Sequence, residues 1–336
     1  MEPRICVIFT GGTIGSKVNQ DIIDLNATAS YTLIESSKYN YLPFETMNPL
    51  YILSENIIIS DWMTIGESIN EAMCKNYDGI VVTHGTDTLP YTAAAISYMF
   101  RHTQIPIVFV SSQFPLDNPL SNGIENFDLA ISFILNTKLP GIFVSWCDDG
   151  VKCIHLATRI TEATPFDCKF NSILNTPFGF MDNDKFIWND KPHNPTQNDM
   201  HIIKDHFTES FCFSNDIMLI KPYPGINYEM FGWTGRKPKA ILHALYHSGT
   251  ACTREHANSA ADFLVKCIKE GIDCYIAPIP STNEDLYSSS NILLKTGAIP
   301  MTNMSLEAAL VKLFFAYGSF PCPKEILDIN IFYENF

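Results

Sequence analysis

Short runs of β-branched and apolar residues alternate with longer amphipathic stretches from the start of the chain. The runs Ile5–Phe9, Leu50–Leu53, Gly79–Thr83, Ile105–Val110 and Gly141–Ser145 predict strands. Between them, Trp62–Lys75, Leu89–His102 and Asn122–Asn136 space their apolar residues as helices do. Alternation of this kind predicts a parallel sheet with crossover helices, whose ligands gather beyond the carboxyl ends of the strands. Val151–His155 follows a Cys147-Asp148-Asp149-Gly150 turn and reads as the return arm of a hairpin.

The pattern breaks between Asn189 and Asn215, where Asp, Asn, Pro and His dominate as in a linker. It then resumes with strands near Ile217–Ile220, Ala240–His243 and Cys274–Ala277 and helices near Ala257–Glu270 and Ser305–Tyr317. The expected fold class is α/β, with two parallel-sheet α/β domains. A larger N-terminal domain covers residues 1–190, a linker 191–214, and a smaller C-terminal domain 215–336. The stripe Leu310, Leu313, Phe314 and Tyr317 has helical spacing and is expected in the core. There are no repeats, heptads or low-complexity tracts.

Composition narrows the class. Of 336 residues, 46% are apolar and only 17% charged, against roughly 25% charged in ordinary soluble domains. That supplies a large core and excludes disorder. Lysine and arginine total 22 against 36 aspartates and glutamates, a net charge of −14. Such a chain repels phosphate backbones and anionic lipid, so neither nucleic acid nor a membrane surface is expected as partner. No stretch approaches the roughly 20 apolar residues of a membrane span, and the short apolar run before Thr10 is no signal peptide. The ten cysteines include no Cys-x-x-Cys and no zinc spacing, so a reducing cytoplasm is the expected location.

Two loops that end predicted strands carry candidate chemistry. Thr10-Gly11-Gly12-Thr13-Ile14-Gly15-Ser16 follows the first strand. Its paired glycines allow a tight turn and close approach to a ligand, leaving Thr13 to present a hydroxyl. It lacks the G-x-G-x-x-G and P-loop patterns of nucleotide sites. Val81-Val82-Thr83-His84-Gly85-Thr86-Asp87-Thr88 runs from a strand into a helix with proline in its first turn. Helix amides there can stabilise a developing oxyanion, and Asp87 can hold a ligand ammonium. Helix capping needs one such residue and does not account for the block His-Gly-Thr-Asp-Thr.

Together these loops resemble the two signatures of the L-asparaginase family, T-G-G-T-I and H-G-T-D-T, and the resemblance extends over nearly the whole chain. Ser54-Glu55-Asn56 followed by Trp62 is similar to the family's substrate-carboxylate segment, in the form found in the asparaginase-like subunit of archaeal glutamyl-tRNA amidotransferase. Val110-Ser111-Ser112-Gln113-Phe114-Pro115-Leu116 resembles G-S-Q-x-P-L, and Ser121-Asn122-Gly123-Ile124-Glu125-Asn126 resembles S-D-G-x-x-N. Further on, Pro224-Gly225 matches a P-G turn and Ser305–Leu313 resembles M-T-T-E-A-A-L-x-K-L.

The resemblance implies hydrolysis of L-asparagine to L-aspartate and ammonia, without metal or cofactor, by a homodimer or homotetramer. Carried onto matching positions, Thr13 is the nucleophile, Thr86 the second threonine, and Asp87 the site of the substrate ammonium. Ser54 and Glu55 anchor the substrate α-groups, Gly12 and Gly85 bring backbone close to the substrate, and Ser112 lies at the pocket wall. A threonine hydroxyl is a poor nucleophile at its free pKa, so a neighbouring acceptor or relay is required.

Three departures stand out. In Thr158-Arg159-Ile160-Thr161-Glu162-Ala163-Thr164-Pro165-Phe166-Asp167, Glu162 falls where the family places the lysine of its catalytic triad. Either the carboxylate takes that position, or Lys169 or Lys152 folds back to fill it. The family's lid tyrosine has no counterpart in Gln20-Asp21-Ile22-Ile23-Asp24, and the next tyrosine is Tyr31. In Tyr246-His247-Ser248-Gly249-Thr250, Thr250 replaces an asparagine that a neighbouring subunit commonly contributes. These departures keep two alternatives open: an amidase for a different or larger amide, and a catalytically decayed amino-acid-binding homologue. His243 and His247 are four apart, but the segment reads as strand and turn, so no metal site is expected.

Overall fold

In a computed structural model, which describes residues 2–19, 22–25, 29–200, 211–254, 256–280 and 285–336, the chain divides into two units. The first is Met1–Thr208 with Ile331–Tyr333, the second Glu209–Asn330 with Glu334–Phe336. The division at Thr208 falls inside the expected linker 191–214, of which 201–210 lie outside the described residues.

Unit 1 is built on β1 (Ile5–Ile8), β2 (Ser16–Asn19), β3 (Ile22–Leu25), β4 (Phe44–Met47), β5 (Gly79–Thr83), β6 (Pro106–Val110), β7 (Gly141–Asp148), β8 (Val151–Leu156), β9 (Gly179–Asp182) and β10 (Lys185–Trp188). Its helices are α1 (Ala29–Ser36), α2 (Ile59–Met73), α3 (Leu89–Met99), α4 (Gly123–Thr137) and the short α5 (Gln197–Met200). The main sheet has eight strands in the order β10-β9-β8-β7-β6-β5-β1-β4. β4, β1, β5, β6 and β7 run parallel, and β8, β9 and β10 continue the sheet antiparallel.

β1, β5 and β6 are buried along their whole length. Strands covered on both faces by helices are apolar over most of their length, which is why they are legible as nearly continuous runs. The far end of the sheet is filled by rings. Phe133 of α4 meets Phe143 edge-on at 4.8 Å, and Phe178 meets Trp188 of β10 at 4.9 Å. Polar bonds seat the Ile331–Tyr333 segment in unit 1. Thr158 Oγ1 donates to Phe332 O at 2.7 Å, and Arg159 Nε donates to Tyr333 O at 2.5 Å.

One expected strand is corrected. Leu50–Leu53 forms only an isolated bridge, between Ile52 and Gly11, and the strand beside β1 is β4 at Phe44–Met47. β4 is an edge strand with no fully buried residue, so it lacks the apolar run that marks a central strand. The order β4-β1-β5 means that the chain leaves β1 toward one side and later returns to the other. The crevice between the carboxyl ends of β1 and β5 is therefore the topological switch point, where ligands of open α/β sheets bind.

Unit 2 carries β11 (Ile217–Ile220), β12 (Ala240–Ala244), β13 (Asp273–Ile279) and β14 (Ile299–Thr302) in one parallel sheet of that order. Its helices are α6 (Ala260–Lys269), α7 (Ser288–Leu294), α8 (Leu306–Ser319) and α9 (Pro323–Leu327). Ser259 Oγ caps α6 by accepting from Asp262 N at 3.1 Å, and Ser305 Oγ caps α8 by accepting from Ala308 N at 3.0 Å. Leu310 and Leu313 of α8 are buried. Lys312 of the same helix is fully buried against Glu334 at 2.9 Å and also donates to Leu327 O and Ile329 O. No helix of the described residues is long and apolar enough to cross a membrane.

Candidate active site

The loops after β4, β1 and β5 are knitted together before any ligand is considered. Thr10 Oγ1 donates to Thr83 O at 2.7 Å, so the ends of β1 and β5 are pinned side by side. Ile52 N donates to Thr10 O at 3.1 Å, and Gly12 N donates to Ile52 O at 3.0 Å. Gly12 has φ 74°, and a Cβ there would collide with the backbone of His84 and Gly85. A Cβ on Gly85 would in turn run into the side chain of Ser54. Gly12, Gly85 and Ser54 thus meet at one point, which sets the segments of Thr13, Thr86–Asp87 and Ser54–Glu55 around the switch point.

Each segment presents its polar residue differently. Thr13 opens a 3-10 turn over Thr13–Gly15, and its carbonyl accepts from Ser16 Oγ at 2.8 Å. Thr13 and Thr86 are half-buried, whereas Ser54 is buried and Glu55 and Asp87 are exposed. Thr88 is the N-cap residue of α3, yet its side chain makes no capping bond. Its Oγ1 donates to Ser54 O at 2.8 Å instead. The hydroxyl-rich block is therefore used to join loops, beyond what capping α3 requires.

Ser112, at the end of β6, is buried with its hydroxyl engaged. Its Oγ donates to Phe114 O at 2.5 Å and bonds Ser121 Oγ at 2.9 Å. Neighbouring asparagines brace this wall. Asn126 Nδ2 donates to Ser111 O at 2.9 Å while its Oδ1 accepts from Cys147 N at 2.6 Å. Asn122 Oδ1 accepts from Gln113 N at 2.9 Å, and Asn122 Nδ2 donates to Cys147 O at 2.9 Å. The Ser121–Asn126 segment thereby ties the ends of β6 and β7.

Glu162 lies on a segment anchored by an isolated bridge between Ile160 and Ser172 and by Thr161 N donating to Asn171 O at 2.9 Å. Its carboxylate is exposed and accepts a hydrogen bond from Tyr91 OH on α3 at 2.5 Å. The two lysines that could have folded back are engaged elsewhere. Lys169 Nζ pairs with Asp148 at 2.9 Å and Asp149 at 3.3 Å, and Lys152 Nζ pairs with Glu125 at 3.6 Å. The loop beyond Glu162 returns past the site. Gln113 Nε2 donates to Asp167 O at 3.3 Å. Burial, and secondarily the charges of Asp87 and Asp167, push the Cys168 thiol pKa up.

His84 and Tyr91 carry contacts that the sequence did not single out. His84 is fully buried, its Nδ1 donates to Gly85 O at 2.8 Å, and burial pushes its pKa down to about 4. It is a neutral wedge that fixes the Gly85 peptide, with Ser111 Oγ donating to its carbonyl at 2.7 Å. Of the expected lid, residues 20 and 21 lie outside the described residues; β2 and β3 on either side pair antiparallel. Tyr31 is exposed. His243 is buried with its Nε2 against Tyr228 OH at 2.6 Å, and His247 is exposed, so the two do not share a site. In unit 2, Thr250 Oγ1 bonds Ser248 Oγ at 3.0 Å.

Residues 4–194 match the family model described as Asparaginase, N-terminal. The chain belongs to the asparaginase family. An L-asparaginase of Thermococcus kodakarensis is 28% identical over 337 residues, spanning 97% of this chain and 96% of its own. A glutamyl-tRNA(Gln) amidotransferase subunit of Sulfurisphaera tokodaii is 27% identical over 331 residues, spanning 94% of this chain and 70% of its own. The solved structure of the thermostable Thermococcus kodakarensis L-asparaginase superposes with a TM-score of 0.79 at 27% identity, over 99% of both chains. A probable cytoplasmic L-asparaginase from Campylobacter jejuni shares the fold, with a TM-score of 0.75 at 20% identity over 100% of both chains. All the candidate residues from Gly12 to Glu162 lie within the region matched by the asparaginase model.

Proposed function

We propose that this asparaginase-family chain is an amidohydrolase that converts L-asparagine to L-aspartate and ammonia, with Thr13 as nucleophile. The observation that carries the reading is the meeting of Gly12, Gly85 and Ser54, which gathers both threonine segments and the Ser54–Glu55 turn at one strand-end crevice.

Thr13 Oγ1 attacks the side-chain amide carbon, and backbone N–H groups of the turns that follow Gly12 and Gly85 stabilise the developing oxyanion. The hydroxyl proton passes to the amide nitrogen, the C–N bond breaks, and ammonia leaves an ester on Thr13. Water near Thr86 attacks that ester, breaking the C–O bond; one water proton restores the Thr13 hydroxyl and the other leaves with the acid. Asp87, at the start of α3, holds the substrate ammonium. Ser54 and Glu55 anchor the remaining α-group, and Ser112 forms the wall. Glu162 stands as a proton acceptor where the family pattern has a cation, because Lys169 and Lys152 are already paired. No step calls on a metal or a cofactor.

We place the enzyme in the cytoplasm as a homodimer or homotetramer. The test is ammonia release from L-asparagine by the wild-type chain, with loss of at least a hundredfold in Thr13→Ala and Thr86→Ala. Robust turnover by either variant removes that residue from the mechanism.

A second reading, an amidase for a larger amide, is favoured by the relative named as an amidotransferase subunit and by Glu162. The net charge of −14 opposes a tRNA substrate unless another chain supplies the basic surface. Activity on a larger amide, with none on asparagine or glutamine, selects this reading.

A further inference from the structure

We propose that Thr88 is a positioning residue for substrate binding. Its hydroxyl fixes the peptide after Ser54 and so holds the Ser54 side chain beside Gly85, ready to bind the α-carboxylate of an amide substrate. The role rests on the amidohydrolase reading and adds to it a residue that acts through Ser54.

Ser54 opens a 3-10 turn over Ser54–Asn56 and is only 3% exposed. Its carbonyl is used twice. Ile57 N donates to it at 3.1 Å, and Thr88 Oγ1 donates to it at 2.8 Å. A carbonyl oxygen has two lone pairs, so both are taken and the plane of the Ser54–Glu55 peptide is set. The Ser54 side chain fills the space that a Cβ on Gly85 would need. Among the described residues, Ser54 Oγ has no hydrogen-bond partner. The side chain is thus enclosed and fixed in place, yet keeps its donor for a ligand.

Thr88 is the N-cap residue of α3 but makes no capping bond with its side chain, so its hydroxyl is spent on Ser54. Four residues on, Thr92 shares the same face of α3, and its Oγ1 accepts from Trp62 Nε1 of α2 at 3.0 Å. The segment from Ser54 to Trp62 is therefore pinned to α3 at both ends. Loss of the Thr88 bond frees the Ser54–Glu55 peptide to rotate while Trp62 keeps the segment docked. The two threonine loops keep their own bonds, from Thr10 Oγ1 to Thr83 O and from Gly12 N to Ile52 O. Removal of the Thr88 hydroxyl thus weakens substrate binding and leaves the reacting groups in place.

The experiment measures ammonia release from L-asparagine by the full chain, with calorimetric binding of L-aspartate as a second readout. Thr88→Val keeps the shape of the side chain and deletes the donor. KM and the L-aspartate Kd are expected to rise about tenfold with kcat within about threefold, the pattern of lost binding common to ground and transition states. Thr88→Ser keeps the donor and is expected to stay within about twofold of wild type in all three. Adding Thr88→Val to Ser54→Ala is expected to raise KM no further, since the hydroxyl acts through Ser54. If Thr88→Val does not fold, Thr88→Ala reads the same loss without the added methyl. A KM within about twofold of wild type in the variant lacking the donor overturns the proposal. So does a Thr88→Ser variant as weak as Thr88→Val, or a double variant whose rise in KM is the product of the single rises. A wild-type chain that neither hydrolyses L-asparagine nor binds L-aspartate overturns the amidohydrolase reading itself, and is thereby told apart from failure of the Thr88 role alone.

Discussion

Gly12 and Gly85 approach so closely that a methyl group on the first would strike the amide of the second. This contact joins the loop after β1 to the loop after β5 across the switch point of the sheet. Gly12→Ala must therefore move one loop away from the other as well as strain a φ of 74°. The strain alone costs about 1–3 kcal/mol. Urea melts are expected to show at least that loss, with amide turnover falling a hundredfold or more. Unchanged stability and turnover would separate the two loops functionally.

The two lysines nearest in sequence to Glu162 give a sharper discrimination. Lys169→Ala and Lys152→Ala remove side chains paired with Asp148, Asp149 and Glu125 at the surface, where solvent screening leaves such pairs little weight in stability. Both variants are expected to keep kcat within about twofold of wild type. A hundredfold loss in either would return the triad position to a lysine.

Buried histidines set the acid limit of stability. His84, His155 and His243 are buried, and burial pushes each pKa down to about 4 from 6.5. Between those values the unfolded chain binds the protons that the folded chain refuses, so stability is full above pH 6.5 and falls as the pH drops. Each histidine contributes a slope of about 1.4 kcal/mol per pH unit. Denaturant melts at pH 7, 6 and 5 should show this decline, and His155→Gln should reduce the slope by one proton. An equal slope in that variant contradicts the assignment.

In unit 2, Lys312 and Glu334 form an ion pair with both side chains fully buried. Lys312→Met removes the Lys312 cation from the buried Glu334 carboxylate and is expected to destabilise by about 3–5 kcal/mol. Lys312→Met with Glu334→Leu should recover most of that loss in the same unfolding assay. Failure to recover would assign the cost to the Leu327 and Ile329 carbonyls that Lys312 also serves.

The sequence made the inner strands and both signature loops legible because their constraints are local. β5 is buried on every residue and carries Ile80, Val81 and Val82 in a row, while the glycines of the loops are demanded by backbone geometry within a few positions. What stayed hidden was set by exposure or by distance along the chain. β4 is a half-exposed edge strand and carries no apolar run. The β9–β10 hairpin turns on Asn183 and Asp184, both with positive φ, a turn signal set in a segment without clear alternation. Tyr91 and Glu162 are 71 residues apart, and no periodicity links a helix entry to a loop across that span.

The proposed role of Thr13 as acyl carrier can be read directly by acid quenching during turnover of L-asparagine followed by peptide mass spectrometry. An aspartyl ester is expected on the peptide containing Thr13, and both the ester and ammonia release should be absent in Thr13→Ala. An ester on the peptide containing Thr86, or full ammonia release by Thr13→Ala, would contradict it.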